Sequence, residues 1–318
     1  MAIPLVRFEY QNQINWGVIR DTQIFQLDFP CTTTADLLAI GYTSVQQLAQ
    51  VSKTPLDPAQ VVMLSPITAA KVLCQGANYR QHMIDSGMDP DAKSFNMFFT
   101  KSTASITGPT GKIIKPAHVQ LLDYEVELTL VLGKQTNGPV KVTQSNLHEY
   151  VAGICIGNDV SARDIQIPQM QFHKGKSYRT FCPLGPVLCL LDQDEMHYLN
   201  EMQLTLSVNG EVRQDDNSAD LVFKPAEALT EYSQIQDFEL GDVLMTGTPA
   251  GCALGLPHPT LVKISSLLPE AKKWTLFIKA QQRRPQYLKV GDQVECRIVS
   301  RDGFIDLGIQ RHVIASGT

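Results

Sequence analysis

Asp123-Tyr124-Glu125-Val126-Glu127-Leu128-Thr129-Leu130-Val131-Leu132-Gly133 is the stretch whose reading decides the fold. From Leu128 to Leu132 nearly every position is apolar and suited to a strand, which predicts a strand buried on both faces. Two glutamates stand at its entrance. Side chains two apart on a strand share a face and lie about 7 Å apart, so Glu125 and Glu127 point the same way. At an intermediate effective dielectric, two carboxylates at that spacing repel by roughly 2 kcal/mol. Such a pair needs water, a proton or a cation. A wetted strand end is one answer. The other gains weight from a second acidic stretch, Asn158-Asp159-Val160-Ser161-Ala162-Arg163-Asp164, which follows an apolar run over 151–156. Two buried strands, each delivering carboxylate at one end, supply the oxygen donors that a hard divalent cation prefers.

The rest of the chain narrows the function classes. Its 318 residues suffice for one large domain, or a large one with a small partner. A net charge of −5 gives no electrostatic reason to expect nucleic acid or an anionic membrane. The N-terminal residues show no basic segment followed by a long apolar core, and no stretch reaches the roughly 20 apolar residues of a membrane span. The seven cysteines are scattered and never form C-x-x-C, which predicts reduced core thiols in a cytoplasmic protein.

Residues 1–66 read as a small N-terminal α/β unit without chemistry, with strands near 5–8, 16–19 and 23–27. Helices follow from an N-cap at Thr34 and over 44–51. The main unit, 67–318, opens with a strand at Lys71–Cys74. Its short strands and Gly/Pro turns predict an α+β, mainly β fold. The clearest local element is a hairpin over 204–212 turning at Asn209-Gly210. Pro225 is expected to open a helix toward Gln234. A stretch at about 252–289, carrying Lys272, Lys273, Lys279, Arg283 and Arg284, reads as an insertion with a solvated face.

Gly175-Lys176-Ser177 lacks the glycine-rich loop of a nucleotide site, and no serine-hydrolase elbow or H-E-x-x-H occurs. His82 follows a strand end and is the candidate general base, with Asp85 one turn on; the alternative is an ordinary surface histidine. Lys176 and Arg163 either pair with the acidic cluster or bind substrate carboxylate or enolate.

These pieces together resemble the fumarylacetoacetate hydrolase family. The resemblance is carried by Gly76-Ala77-Asn78-Tyr79-Arg80-Gln81-His82, Phe99-Thr100-Lys101 and the Glu125/Glu127 stretch. It continues through Asn158 to Gln166, Gly175-Lys176-Ser177, Val208 to Val212 and Gly241 to Gly251, in the family's order over roughly residues 70–310. It implies a mixed β-roll/β-sandwich of the family's C-terminal type, in a homodimer binding Mg²⁺ or Mn²⁺. By it, Glu125, Glu127 and Asp159 are the metal ligands. His82, Asp85 and Lys176 are catalytic, with Asp85 standing where many members carry glutamate. Tyr79, Lys101, Arg163, Gln166 and Thr248 contact substrate.

The resemblance further implies action on 2-oxo and β-diketo acids of the kind met in aromatic compound catabolism. The first expectation is a metal-dependent hydrolase that cleaves a C–C bond through an enolate. A 2-oxo acid decarboxylase, isomerase or hydratase, or a non-catalytic binding protein, are the alternatives.

Overall fold

The computed structural model describes residues 1–255 and 268–317. The strand Val126–Leu132 is buried at every position and lies inside an eleven-stranded sheet. It pairs antiparallel with Val151–Asn158 on one side and with Val243–Met245 on the other. Its two faces serve two layers. Leu128, Leu130 and Leu132 pack with Leu204, Leu206, Cys296 and Ile298 of a five-stranded sheet. Val131 faces the opposite way, with Leu37, Val45 and Ala49 of two N-terminal helices. The apolar run is thus continuous because both faces are covered. Truncating Leu130 to alanine should cost about 2–5 kcal/mol, as for other buried leucines.

Residues 1–66 do not form a sheet of their own. Their first strand, Ile3–Tyr10, pairs with Val187–Leu190 and so extends the large sheet. The boundary expected near 66 does not interrupt that sheet. The first helix, Thr34–Ala39, is capped one residue earlier than expected: Thr33 Oγ1 accepts from Asp36 N–H at 3.1 Å. Thr34 turns inward instead and donates to Pro66 O at 2.7 Å.

Other local elements follow their sequence. The hairpin joins Met202–Val208 to Glu211–Asn217. Asn209 and Gly210 supply its turn at φ values of 53° and 81°. Pro225 starts the helix Pro225–Tyr232. In the expected insertion, residues 256–267 lie outside the described residues, and Glu270–Gln281 is a helix. The fold is α+β and mainly β, as expected.

Candidate active site

Sheet register assembles the acids. Val126 pairs with Asn158, which places their neighbours Glu125 and Asp159 side by side at the same end. Asp159 N–H donates to Glu125 O at 2.8 Å, and Asn158 Oδ1 accepts from Glu125 N–H at 3.0 Å. Glu125, Glu127 and Asp159 are all buried, and each offers a carboxylate oxygen within 4.8 Å of the others.

Three buried cations converge on two of these carboxylates. Lys176 Nζ donates to Glu125 Oε2 at 2.6 Å, Asp159 Oδ2 at 2.5 Å and Ser161 Oγ at 2.8 Å. Arg163 donates to Glu125 Oε1, to Asp123 Oδ2 at 2.8 Å and to Gln166 Oε1 at 2.8 Å. Lys101 donates to Asp159 Oδ1 and to the carbonyl of Val160. Burial alone would raise the Glu125 carboxyl, but Arg163 and Lys176 hold it down to about 2.

Glu127 differs. Among the described residues no cation pairs with it, and Oε2 accepts from Gly247 N–H at 2.8 Å. That close approach depends on the glycine, whose φ is 93° and whose added Cβ would lie 2.9 Å from Asn78 Cβ. Burial, then the charges of Asp159 and Glu125, push the Glu127 carboxyl well up. A buried carboxylate in this state calls for a proton or a cation. Three carboxylates of this geometry, one of them uncompensated, fit a hard divalent ion.

A cavity of about 230 Å³ opens on Glu125 and Glu127, with Asp159 buried outside its walls. Its walls bring together His82, Glu125, Glu127, Arg163, Gln166, Lys176 and Thr248. Burial lowers the His82 pKa, against the pull of Glu125, so the ring is neutral at pH 7. Thr248 Oγ1 donates to Val126 O at 2.9 Å, which ties its loop to the acidic strand.

Three expected residues sit elsewhere. Tyr79 is fully buried in the core, drawn under by a bridge to Leu221, and does not line the cavity. Lys101 lies behind Asp159, holding a carboxylate rather than facing substrate. Asp85 is exposed and accepts from Gln81 Nε2 at 2.8 Å, so it does not orient His82.

The fumarylacetoacetate hydrolase C-terminal family model matches residues 71–315. An oxaloacetate tautomerase of Bacillus subtilis is 32% identical over 259 residues, covering 76% of this chain and 84% of that protein. The chain belongs to the fumarylacetoacetate hydrolase family. A mitochondrial oxaloacetate tautomerase of Bos taurus is 33% identical over 290 residues, covering 89% of this chain and 82% of the relative. The solved fumarylacetoacetate hydrolase of Exiguobacterium antarcticum superposes with a TM-score of 0.74 at 27% identity, covering 99% of this chain and 100% of that one. No helix among the described residues is long and apolar enough to cross a membrane.

Within this family member, sequence reasoning passed over several residues that build the site. Asp123 accepts from Arg163 and from the N–H groups of Tyr124, Ala253 and Leu254. The signal was present: Asp123 precedes Glu125 by two, the same alternation that paired the glutamates. Gln214 Oε1 accepts from Val126 N–H at 3.0 Å and its Nε2 donates to Thr248 Oγ1 at 2.8 Å. Phe99 lies under Lys176, with Nζ 5.1 Å from its ring centroid. Nothing local in the sequence marks Gln214, and the Phe99-Thr100-Lys101 motif marks Phe99 without giving its ring a role.

Proposed function

We propose that the protein interconverts the enol and keto forms of a small 2-oxo acid of the oxaloacetate type, with Mg²⁺ or Mn²⁺ held by Glu125, Glu127 and Asp159. The observation that carries this reading is the cluster of three buried carboxylates, Glu127 without a cation among the described residues, beside a cavity that Glu125 and Glu127 line together with His82. The two relatives named as oxaloacetate tautomerases align over most of their length and support it.

A divalent ion bound there supplies a fixed positive charge that stabilises negative charge developing on the keto oxygen. Ketonisation moves one proton from the enol hydroxyl to the neighbouring carbon and breaks no bond between heavy atoms. Neutral His82, on the cavity wall, carries that proton. Arg163 and Lys176 act as positioning residues in this reading, because Lys176 spends its three donors on Glu125, Asp159 and Ser161, and Arg163 gives three of its five to Asp123, Glu125 and Gln166. Met97, Phe99 and Phe172 line the apolar side and reduce water access.

Hydrolysis of a β-diketo acid is the second reading, supported by the shared fold with the Exiguobacterium antarcticum hydrolase. It requires an activated water, and Asp85 is bonded to Gln81 rather than to His82. A homodimer in a reducing cytoplasm completes the proposal. The seven cysteines, all buried and free, accord with that compartment, and sedimentation of the purified protein tests the dimer. Product analysis separates the two readings. Incubation with oxaloacetate and with an acylpyruvate should accelerate enol decay of the first and leave the second intact. Release of pyruvate from the acylpyruvate at a matching rate would favour the hydrolase instead.

A further inference from the structure

Beside the acidic cavity lies a second one of about 340 Å³. The two share His82, Ser86 and Leu254 as walls, so they adjoin. Cys252, on the wall of the second, has its Sγ 4.0 Å from Glu125 Oε1. The cation of this annex is Arg284, which arrives from the insertion. Its neighbours Arg283, Lys279 and Lys272 are exposed, as a solvated face requires; Lys273 is half-buried over the Trp274 ring, and Arg284 is half-buried on the annex wall.

Arg284 is held in place. Its Nε donates to Ala253 O at 2.8 Å. The guanidinium lies against Gly255, where an added Cβ would meet Nη1 at 2.3 Å. Gln281 fixes the same loop, its Nε2 donating to Gly255 O at 2.6 Å. Among the described residues no carboxylate pairs with Arg284. Asp85 also lines the annex, but it is exposed and bonded to Gln81.

Charge says what such a cation is for. Around the acidic site Asp123, Glu125, Glu127 and Asp159, all ionised as metal ligation requires, would set four negative charges against the three positive ones of Lys101, Arg163 and Lys176. A divalent ion would leave one net positive charge, which the carboxylate of a 2-oxo acid cancels. A second carboxylate on the substrate then needs a cation of its own, because an uncompensated buried charge is costly. Lys101, Arg163 and Lys176 are already committed to the acids.

We infer that Arg284 binds the distal carboxylate of a dicarboxylic 2-oxo acid whose keto-acid end lies at Glu125, Glu127 and Asp159. The inference rests on the reading of that site given above and adds the substrate's second anchor.

Calorimetric titration in the presence of Mg²⁺ tests it, using wild-type protein, Arg284→Gln and Arg284→Lys. The probes are oxaloacetate and 2-oxobutanoate, in which a methyl group replaces the distal carboxylate. Arg284→Gln should weaken oxaloacetate by about 10- to 100-fold more than 2-oxobutanoate, the worth of a charge-assisted hydrogen bond. Arg284→Lys should recover part of that difference, and KM for the oxaloacetate enol should follow the same order. Equal loss on both probes, or none on either, overturns the inference and leaves the acidic site's reading standing. Wild-type protein that binds neither probe overturns that reading, and the inference with it.

Discussion

Gly247 donates its backbone N–H to Glu127 Oε2 at 2.8 Å, and this bond holds in place the one carboxylate of the trio that no cation reaches among the described residues. The apo protein therefore carries a buried acid waiting for positive charge. Adding Mg²⁺ or Mn²⁺ should raise the thermal midpoint, by the equivalent of about 2.7 kcal/mol at a hundred times Kd. Glu127→Gln should lose this response while the metal-free protein stays at least as stable, because the amide replaces a buried acid whose ionised form burial and its neighbours Asp159 and Glu125 disfavour. Differential scanning calorimetry with and without chelator reads both. A variant that keeps the full metal response would remove Glu127 from the ligand set.

Asp123 is the anchor of the site's other half. It is fully buried, accepts from Arg163 Nε at 2.8 Å and ties down Ala253 and Leu254 at 2.7 and 3.1 Å. Removing one partner of a buried ion pair strands the other. Asp123→Ala should cost about 3–5 kcal/mol in urea denaturation. A cost no larger than that of an exposed substitution would mean that Arg163 is held by Glu125 alone.

His82 and Asp85 sit on one short helix, Arg80–Asp85, yet only His82 lines the acidic cavity. His82→Ala should lower turnover by about 10²-fold or more, the usual contribution of a positioned acid–base group. Asp85→Asn should change it only slightly, because Asp85 is exposed and bonded to Gln81. Steady-state rates of the two variants decide. Comparable losses in both would show that the pair acts together when substrate is bound, and would favour the hydrolytic reading.

The pH dependence of stability should carry the mark of His312. Its ring is buried, bonded through Nε2 to Gly108 O at 3.0 Å, and burial pushes its pKa from 6.5 down to about 4. Below pH 6.5 the unfolded chain takes up a proton that the folded protein refuses. The contribution is therefore complete above pH 6.5 and is lost as pH falls toward 4, by up to about 3 kcal/mol. Urea denaturation of wild type and His312→Gln across this window should show the smaller loss in the variant. Parallel curves would acquit His312.

The core of the fold could be read from the sequence because its central strand is covered on both sides and so writes itself as an unbroken apolar run. The acids were legible from strand alternation, and the hairpin from Asn209-Gly210. Long-range pairing was not. Nothing in Ile3–Tyr10 names Val187–Leu190 as its partner, so the N-terminal unit read as separate. Tyr79 sits in a polar-looking run but is drawn into the core beside Leu221. Lys101, Arg163 and Lys176 come from separate elements, and only the folded chain shows that the acids occupy them. Arg284 was hidden among basic neighbours of which Lys272, Lys279 and Arg283 are solvated.

The most direct test of the account follows the ultraviolet absorbance of enol oxaloacetate with Mg²⁺, comparing wild-type protein and Glu127→Gln in the same buffer. Wild type should speed ketonisation well beyond the buffer rate, and the variant should not. Enol decay at the buffer rate with metal-loaded wild type, or equal acceleration by both proteins, would contradict it.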